Sequence, residues 1–240
     1  MRSGRKELWV TRLGRIDYDE ALEFQHALHA ARVRGDVPDV LLLLEHPPVY
    51  TRGRRSTEDE LTMASEWYAE QGIDIKDVDR GGKVTYHGPG QLVGYPIVST
   101  ELTRGDVPRL VDTIEQSMID ALKGEGIAAH RDEAGRGVWA GSGDSEGKIG
   151  SIGLHIAQNV TTHGLMVNVD NDLEPFEWIR PCGLDDPATS IARVRGIGGQ
   201  MRCFEKRLAF AFAENFDLRQ RLVSRARLEQ SAHDLLLAAR

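Results

Sequence analysis

From Arg80 to Gln91 the chain reads Arg-Gly-Gly-Lys-Val-Thr-Tyr-His-Gly-Pro-Gly-Gln, a stretch that no regular helix can cross. Gly81 and Gly82 open it, and a Gly-Pro-Gly triplet closes it. Glycine reaches positive φ freely and lets backbone approach where a Cβ would not fit. Proline lacks the N–H and fixes φ, so the triplet continues neither a helix nor a ladder. Val84, Thr85 and Tyr86 favour strand. The pattern predicts a tight turn, a short strand and a second tight turn, with Arg80 and His87 bracketing the strand. On glycines alone this is a β-hairpin with a decorated loop. It is neither a Walker loop nor a dinucleotide fingerprint, because both set glycines at fixed offsets before a helix.

The rest of the chain mixes helices and strands. Residues 7–13 read as a half-buried strand. Tyr18, Ala21, Leu22, Gln25 and Leu28 recur at helical spacing, predicting a helix over 20–33, capped by Asp17 or Asp19 and ended by Gly35. The continuous apolar run 40–44 suits a strand buried on both faces. Residues 45–55 read as a loop held extended by Pro47 and Pro48, 58–71 as a helix, and 73–78 as a strand. Residues 91–98 read as another strand, with Pro96 marking an edge or a bulge. An apolar face predicts a helix over 108–122, and 136–140 form a short strand. Residues 148–156 and 161–169 read as paired strands across a hairpin connector. A helix over about 202–216 and a charged one from about 218 close the chain. Without strict βαβ alternation the class is α+β, with mixed β-sheets flanked by helices.

A chain of 240 residues is long enough for one large domain. Its 40% hydrophobic and 28% charged residues exclude disorder and match a soluble globular enzyme. The net charge of −7 argues against nucleic acid as a partner. The start of the chain has no apolar run of signal-peptide type, and nothing approaches the length of a membrane span. With only Cys182 and Cys203, a disulfide framework is not expected and a reducing cytoplasm is.

Chemistry narrows to few residues. Cys182 sits in Pro-Cys-Gly, where a turned backbone would expose the thiol; a lone cysteine is otherwise inert packing. Reactivity also needs a cation to depress the thiol pKa, and Lys148, opening a strand of small residues, could supply it. Cys203, before Phe204 on a helix, reads as packing. The eight histidines show no zinc spacing, so no metal is expected. His155 and His163 read as structural, and His87 as the histidine near a ligand.

Five segments together resemble the octanoyl transferases of lipoate biosynthesis, within the biotin/lipoate protein ligase superfamily. They are Glu45-His46-Pro47-Pro48-Val49-Tyr50-Thr51, the Arg80–Gln91 stretch, Lys148 with Ile152-Gly153, His163-Gly164-Leu165 with Asn168, and Pro181-Cys182-Gly183. The resemblance implies a single catalytic domain of ligase-like fold over residues 1–240, with about 217–240 a charged helical extension. It implies a two-step transfer of an octanoyl (or lipoyl) group from acyl carrier protein, through a cysteine thioester, to a lysine of lipoyl domains. Acceptors would be 2-oxoacid dehydrogenase complexes and the glycine cleavage H protein, with no cofactor. By position Cys182 is the nucleophile and Lys148 its partner. Substrate-binding positions carry over as Arg80, Gly81, Gly82, Lys83, Val84, Thr85, Tyr86 and His87, then Ser151, Ile152 and Gly153, then Gly164, Leu165 and Met166. Ser151 and Met166 stand where alanine is common in the family. Arg52, Arg54 and Arg55 form a candidate docking patch for an acidic carrier. The alternative is an ATP-dependent lipoate or biotin protein ligase, which needs a lysine but no nucleophilic cysteine; a silent acyl-binding protein is a third reading.

Overall fold

The computed structural model describes residues 4–132, 135–180 and 187–238, with side chains placed through 231. Eleven strands and seven α-helices alternate irregularly among these residues. An eight-stranded sheet runs in the order β11 (Arg219–Leu222), β1 (Glu7–Arg15), β2 (Asp39–Glu45), β6 (Gln91–Ile97), β10 (Val160–Asn168), β9 (Gly147–Ala157), β8 (Gly135–Ala140), β7 (Ala129–Asp132). Its β1 is parallel to both neighbours, and the remaining pairs are antiparallel. A three-stranded sheet runs β4 (Asp74–Asp77), β3 (Val49–Arg52), β5 (Thr85–His87).

The apolar run in β2 shows why the large sheet is covered twice. Side chains alternate across a strand. Leu41 and Leu43 therefore enter one core with α3 (Val107–Lys123) and α6 (Met201–Asn215), through Ile114, Met118, Phe204 and Phe212. Val40, Leu42 and Leu44 enter the other, with Ala21, Phe24 and Leu28 of α1 (Tyr18–Arg34) and Leu228 of α7 (Arg225–Ala238). All five residues are fully buried, each contributing about 1.5–3 kcal/mol. Asp17 caps α1 by accepting from the Asp19 and Glu20 amides, and Gly35 ends it at φ 83°.

Several expectations need correction. The 45–55 segment is not all loop: Val49–Arg52 form β3, because β4 and β5 supply ladder partners on both sides. The predicted 58–71 helix reduces to a 3-10 turn, Glu58–Glu60, and α2 (Ser65–Glu70), with Leu61 bridged to Ile179 instead. Pro96 lies on an interior strand, not an edge. Its missing donor is tolerated because the β6–β10 ladder runs only from Gln91 to Gly94, after which the Thr161 hydroxyl donates to the Pro96 carbonyl. The charged helix at 218 begins only at Arg225; Arg219–Leu222 are recruited as edge strand β11 by β1. Cys203 is exposed, and Phe204 beside it enters the core. No helix among the described residues is long and apolar enough to cross a membrane.

Candidate active site

The three segments expected to bind substrate converge. Across the β9–β10 hairpin Gly164 faces Gly153, Leu165 faces Ile152, and Met166 faces Ser151. The turn, Gln158-Asn159, takes positive φ at both residues, as a tight hairpin requires. The Gly81 amide donates to the Leu154 carbonyl at 2.9 Å, laying the glycine loop over β9. A Cβ on Gly153 would come within 2.7 Å of the Gly81 oxygen, and one on Gly164 would overlap the Gly94 carbonyl. These glycines are where backbones touch. Ser151 and Met166, expected to differ from the commoner alanine, are cross-strand partners.

Arg80 secures the loop from inside. Its guanidinium is buried, and Nε and Nη2 donate to Thr51 Oγ1 at 3.2 and 2.8 Å. Nη2 also donates to the Thr51 carbonyl at 2.6 Å, and Nη1 to the Gly81 carbonyl at 3.0 Å. Burial lowers its pKa. A Cβ on Gly53 would lie 2.7 Å from Nη1, so that glycine makes room for a cation. Of the neighbouring arginines, Arg52 is held in a two-pronged pair with Asp77, both bonds at 2.7 Å. Arg54 and Arg55 remain exposed, their amides on the Arg80 and Gly82 carbonyls.

Three histidines lie beneath. His46 is fully buried, with Nδ1–H donating to the Ile16 carbonyl and Nε2 accepting from the Tyr95 hydroxyl, both at 2.8 Å. His87 donates from Nδ1 to Gln91 Oε1 at 2.7 Å. That orientation follows from the Gln91 amide, whose nitrogen donates to the Tyr86 carbonyl and to Asn168 Oδ1. Asn168 in turn donates to the Thr189 carbonyl at 2.9 Å. His163 takes φ 55° inside β10, and its Nε2 meets Asp79 at 2.6 Å, with His155 on the other carboxylate oxygen at 3.4 Å. His155 and His163 thus share one carboxylate.

Burial pushes His46 down to about 4 and His87 down to about 3, from an ordinary 6.5. Below pH 6.5 the unfolded chain takes up protons that the folded chain refuses. Stability is therefore full above 6.5 and falls as pH drops towards those folded-state values. Each group contributes a slope of about 1.4 kcal/mol per pH unit. Denaturant unfolding between pH 7 and pH 4.5 is expected to show that decline, with a shallower one for His46→Gln. A flat profile would contradict the burial argument.

Lys148 occupies a shaped seat. Its Nζ lies 4.5 Å from the centre of the Trp139 ring, within cation–π range. Gly137, at φ 131°, lies alongside: a Cβ there would meet the Gly150 oxygen at 2.7 Å and Lys148 Cε at 3.3 Å. The Gly137 amide is fixed at 2.8 Å by Glu115, itself buried. The Lys148 amide donates to the Pro187 carbonyl at 2.8 Å, and its carbonyl accepts from Thr189 at 3.1 Å. Gly147 has no room for a Cβ against that Pro187 carbonyl. Cys182 lies outside the described residues, five positions before Pro187 and two after Arg180. Both flanks are tied down: Arg180 donates to the Glu60 carbonyl at 2.9 Å, and residues 187–189 pair with the strand at Lys148.

Gly137, Trp139, Glu60 and Asp79 escape a sequence reading. Trp139 falls within the short strand expected over 136–140 and Glu60 within the helix expected over 58–71, and neither expectation singles the residue out. The one local signal was Asp79, directly before the motif arginine.

The fold and site place the chain among known proteins. A family model described as the lipoyl protein ligase A/B catalytic domain matches residues 17–213, and the chain belongs to that family. Within it, the chain is 45% identical over 208 residues to the octanoyltransferase of Solibacter usitatus, covering 87% of this chain and 92% of that one. To the octanoyltransferase of Caldicellulosiruptor saccharolyticus it is 40% identical over 227 residues, covering 93% and 95%. Among solved structures it resembles a lipoate-protein ligase A bound with ATP, with TM-score 0.73 at 16% identity over 95% of this chain and 94% of that one. The bipartite lipoate protein ligase of Thermoplasma acidophilum gives 0.72 at 15% identity, over 97% and 92%. At those identities the likeness concerns the fold.

Proposed function

We propose that this chain is a single-domain octanoyltransferase, moving an octanoyl (or lipoyl) group from acyl carrier protein to a lysine of lipoyl domains, in the cytoplasm. In the first step the Cys182 thiolate attacks the thioester carbonyl, and the carrier's sulfur leaves as a thiol with the proton that Lys148 gives up. In the second the acceptor amine attacks the enzyme thioester, Cys182 leaves as thiolate, and Lys148 takes the amine proton. Splitting the transfer in this way makes two easier steps of one. The observation that carries the reading is the pairing of residues 187–189 with the strand at Lys148, which ties the chain just beyond Cys182 to the backbone of its partner. Relatives 40–45% identical bear the name octanoyltransferase, which favours transfer over ligation.

The test is an intact mass after mixing with octanoyl acyl carrier protein in the absence of ATP. An octanoyl gain, removed by neutral hydroxylamine and discharged by an apo lipoyl domain, is expected. Modification of the lipoyl domain only from free acid plus ATP would instead make the chain a ligase.

Met166, buried opposite Ser151, is proposed to bound the acyl chain. Met166→Ala is expected to raise the decanoyl-to-octanoyl ratio of kcat/KM about 10-fold, the scale of methylene discrimination in a hydrophobic pocket. An unchanged ratio would place the end of the chain elsewhere.

A further inference from the structure

We infer that Glu60 is a positioning residue that couples the loop lining the acyl site to the segment carrying Cys182; the coupling to catalysis rests on the function proposed above. Glu60 ends the 3-10 turn Glu58–Glu60 and is only 2% exposed. Its Oε2 accepts from the Val84 amide at 3.0 Å, and its Oε1 stands 3.2 Å from Lys83 Nζ. Val84 and Lys83 both belong to the glycine-flanked loop. The backbone carbonyl of the same residue accepts from the Arg180 amide at 2.9 Å. The connection continues on either side. Leu61 bridges Ile179, and the hydroxyls of Thr62 and Tyr68 donate to the Trp178 carbonyl at 2.9 and 2.7 Å.

One buried residue thus holds two segments nearly a hundred positions apart, and Cys182 follows two residues after the second. A carboxylate is a costly choice for packing alone, because burying its charge carries a desolvation penalty that an apolar side chain avoids. Here it satisfies a loop amide and meets the one ammonium of that loop. Removing it leaves the Val84 amide buried without its acceptor and loosens the side-chain link between the loop and the segment that holds residues 178–180. Misplacing a reacting group by about 1 Å can cost roughly 100-fold in rate.

The experiment compares wild type, Glu60→Ala and Glu60→Gln by three readings. These are single-turnover acylation of Cys182 by octanoyl acyl carrier protein, alkylation of Cys182 by iodoacetamide, and amide hydrogen exchange at Val84 and Arg180. Glu60→Ala is expected to slow the saturating single-turnover rate constant of acylation about 100-fold. Alkylation should stay near wild type, and exchange should quicken at both amides. Glu60→Gln keeps an acceptor for Val84 and should recover most of the acylation rate. Quickening at Arg180 is the decisive sign, since its own acceptor is a backbone carbonyl that the substitution leaves in place. Exchange quickened at Val84 alone, or acylation unchanged by Ala, would overturn the coupling. Acylation and alkylation falling together with the melting temperature would reduce Glu60 to a structural role. A wild type that takes no acyl group would sink the functional reading, while the exchange measurement would still decide the tie.

Discussion

Cys182→Ala is expected to lower kcat by at least about 10⁴-fold, the scale reached when the nucleophile of a covalent mechanism is removed. The residual rate would come from binding donor and acceptor side by side, without an acyl-enzyme. The octanoyl mass gain should vanish with it. The other cysteine provides the control. Cys203 is exposed at the start of α6, its Sγ 3.3 Å from Gln200 Oε1, and none of the motif segments includes it. Cys203→Ser is therefore expected to keep both the mass gain and the rate. Should the octanoyl group survive Cys182→Ala and disappear in Cys203→Ser, the nucleophile would have been misassigned. Alkylating wild type with iodoacetamide gives the same answer from a second direction: modification at Cys182 should block acylation, and prior acylation should protect Cys182.

The contrast between what the sequence disclosed and what it hid follows the range of the interactions. Val40 to Leu44, the β9–β10 hairpin and the capped α1 carry their signals within a few residues, as apolar run, alternation and cap. Residues 219–222, Arg-Gln-Arg-Leu, have no strand signal; β1 makes them a strand, with Arg219 and Arg221 both pairing with Glu7. Prolines 47 and 48 masked β3 because they precede a strand that needs β4 and β5 to exist. The site divides in the same way. The glycine-flanked loop, the β9 and β10 glycines and Lys148 were visible because turns and close approaches demand particular residues. The seat of Lys148 was not, since Gly137 and Trp139 acquire meaning only when β8 pairs with β9. Glu60 was hidden for the same reason, its partners lying at 83–84 and 180.

Lys148→Met is expected to cost about 10²–10⁴-fold in kcat, the usual range for a positioned proton carrier. Methionine keeps an unbranched stem beside Gly137 and over Trp139 but removes the ammonium, so packing is the smaller part of the change. The proposed roles of Lys148 differ between half-reactions, and a second variant separates them. In the first, a nearby cation favours the Cys182 thiolate over a thiol whose ordinary pKa is about 8.5. In the second, the acceptor amine must lose a proton, and the group receiving it must itself exist unprotonated. Arginine satisfies the first need and fails the second, because a guanidinium does not deprotonate in proteins. Lys148→Arg is accordingly expected to form the octanoyl thioester at a substantial rate and to discharge it to a lipoyl domain at least about 100-fold more slowly than wild type. Rapid-quench intact masses would then show acyl-enzyme accumulating. Equal losses in both steps would mean that Lys148 acts through position or charge alone. Full discharge by the arginine variant would assign the amine's proton to another base, and the imidazoles of His87 and His163, neutral through burial, would become the next groups to test.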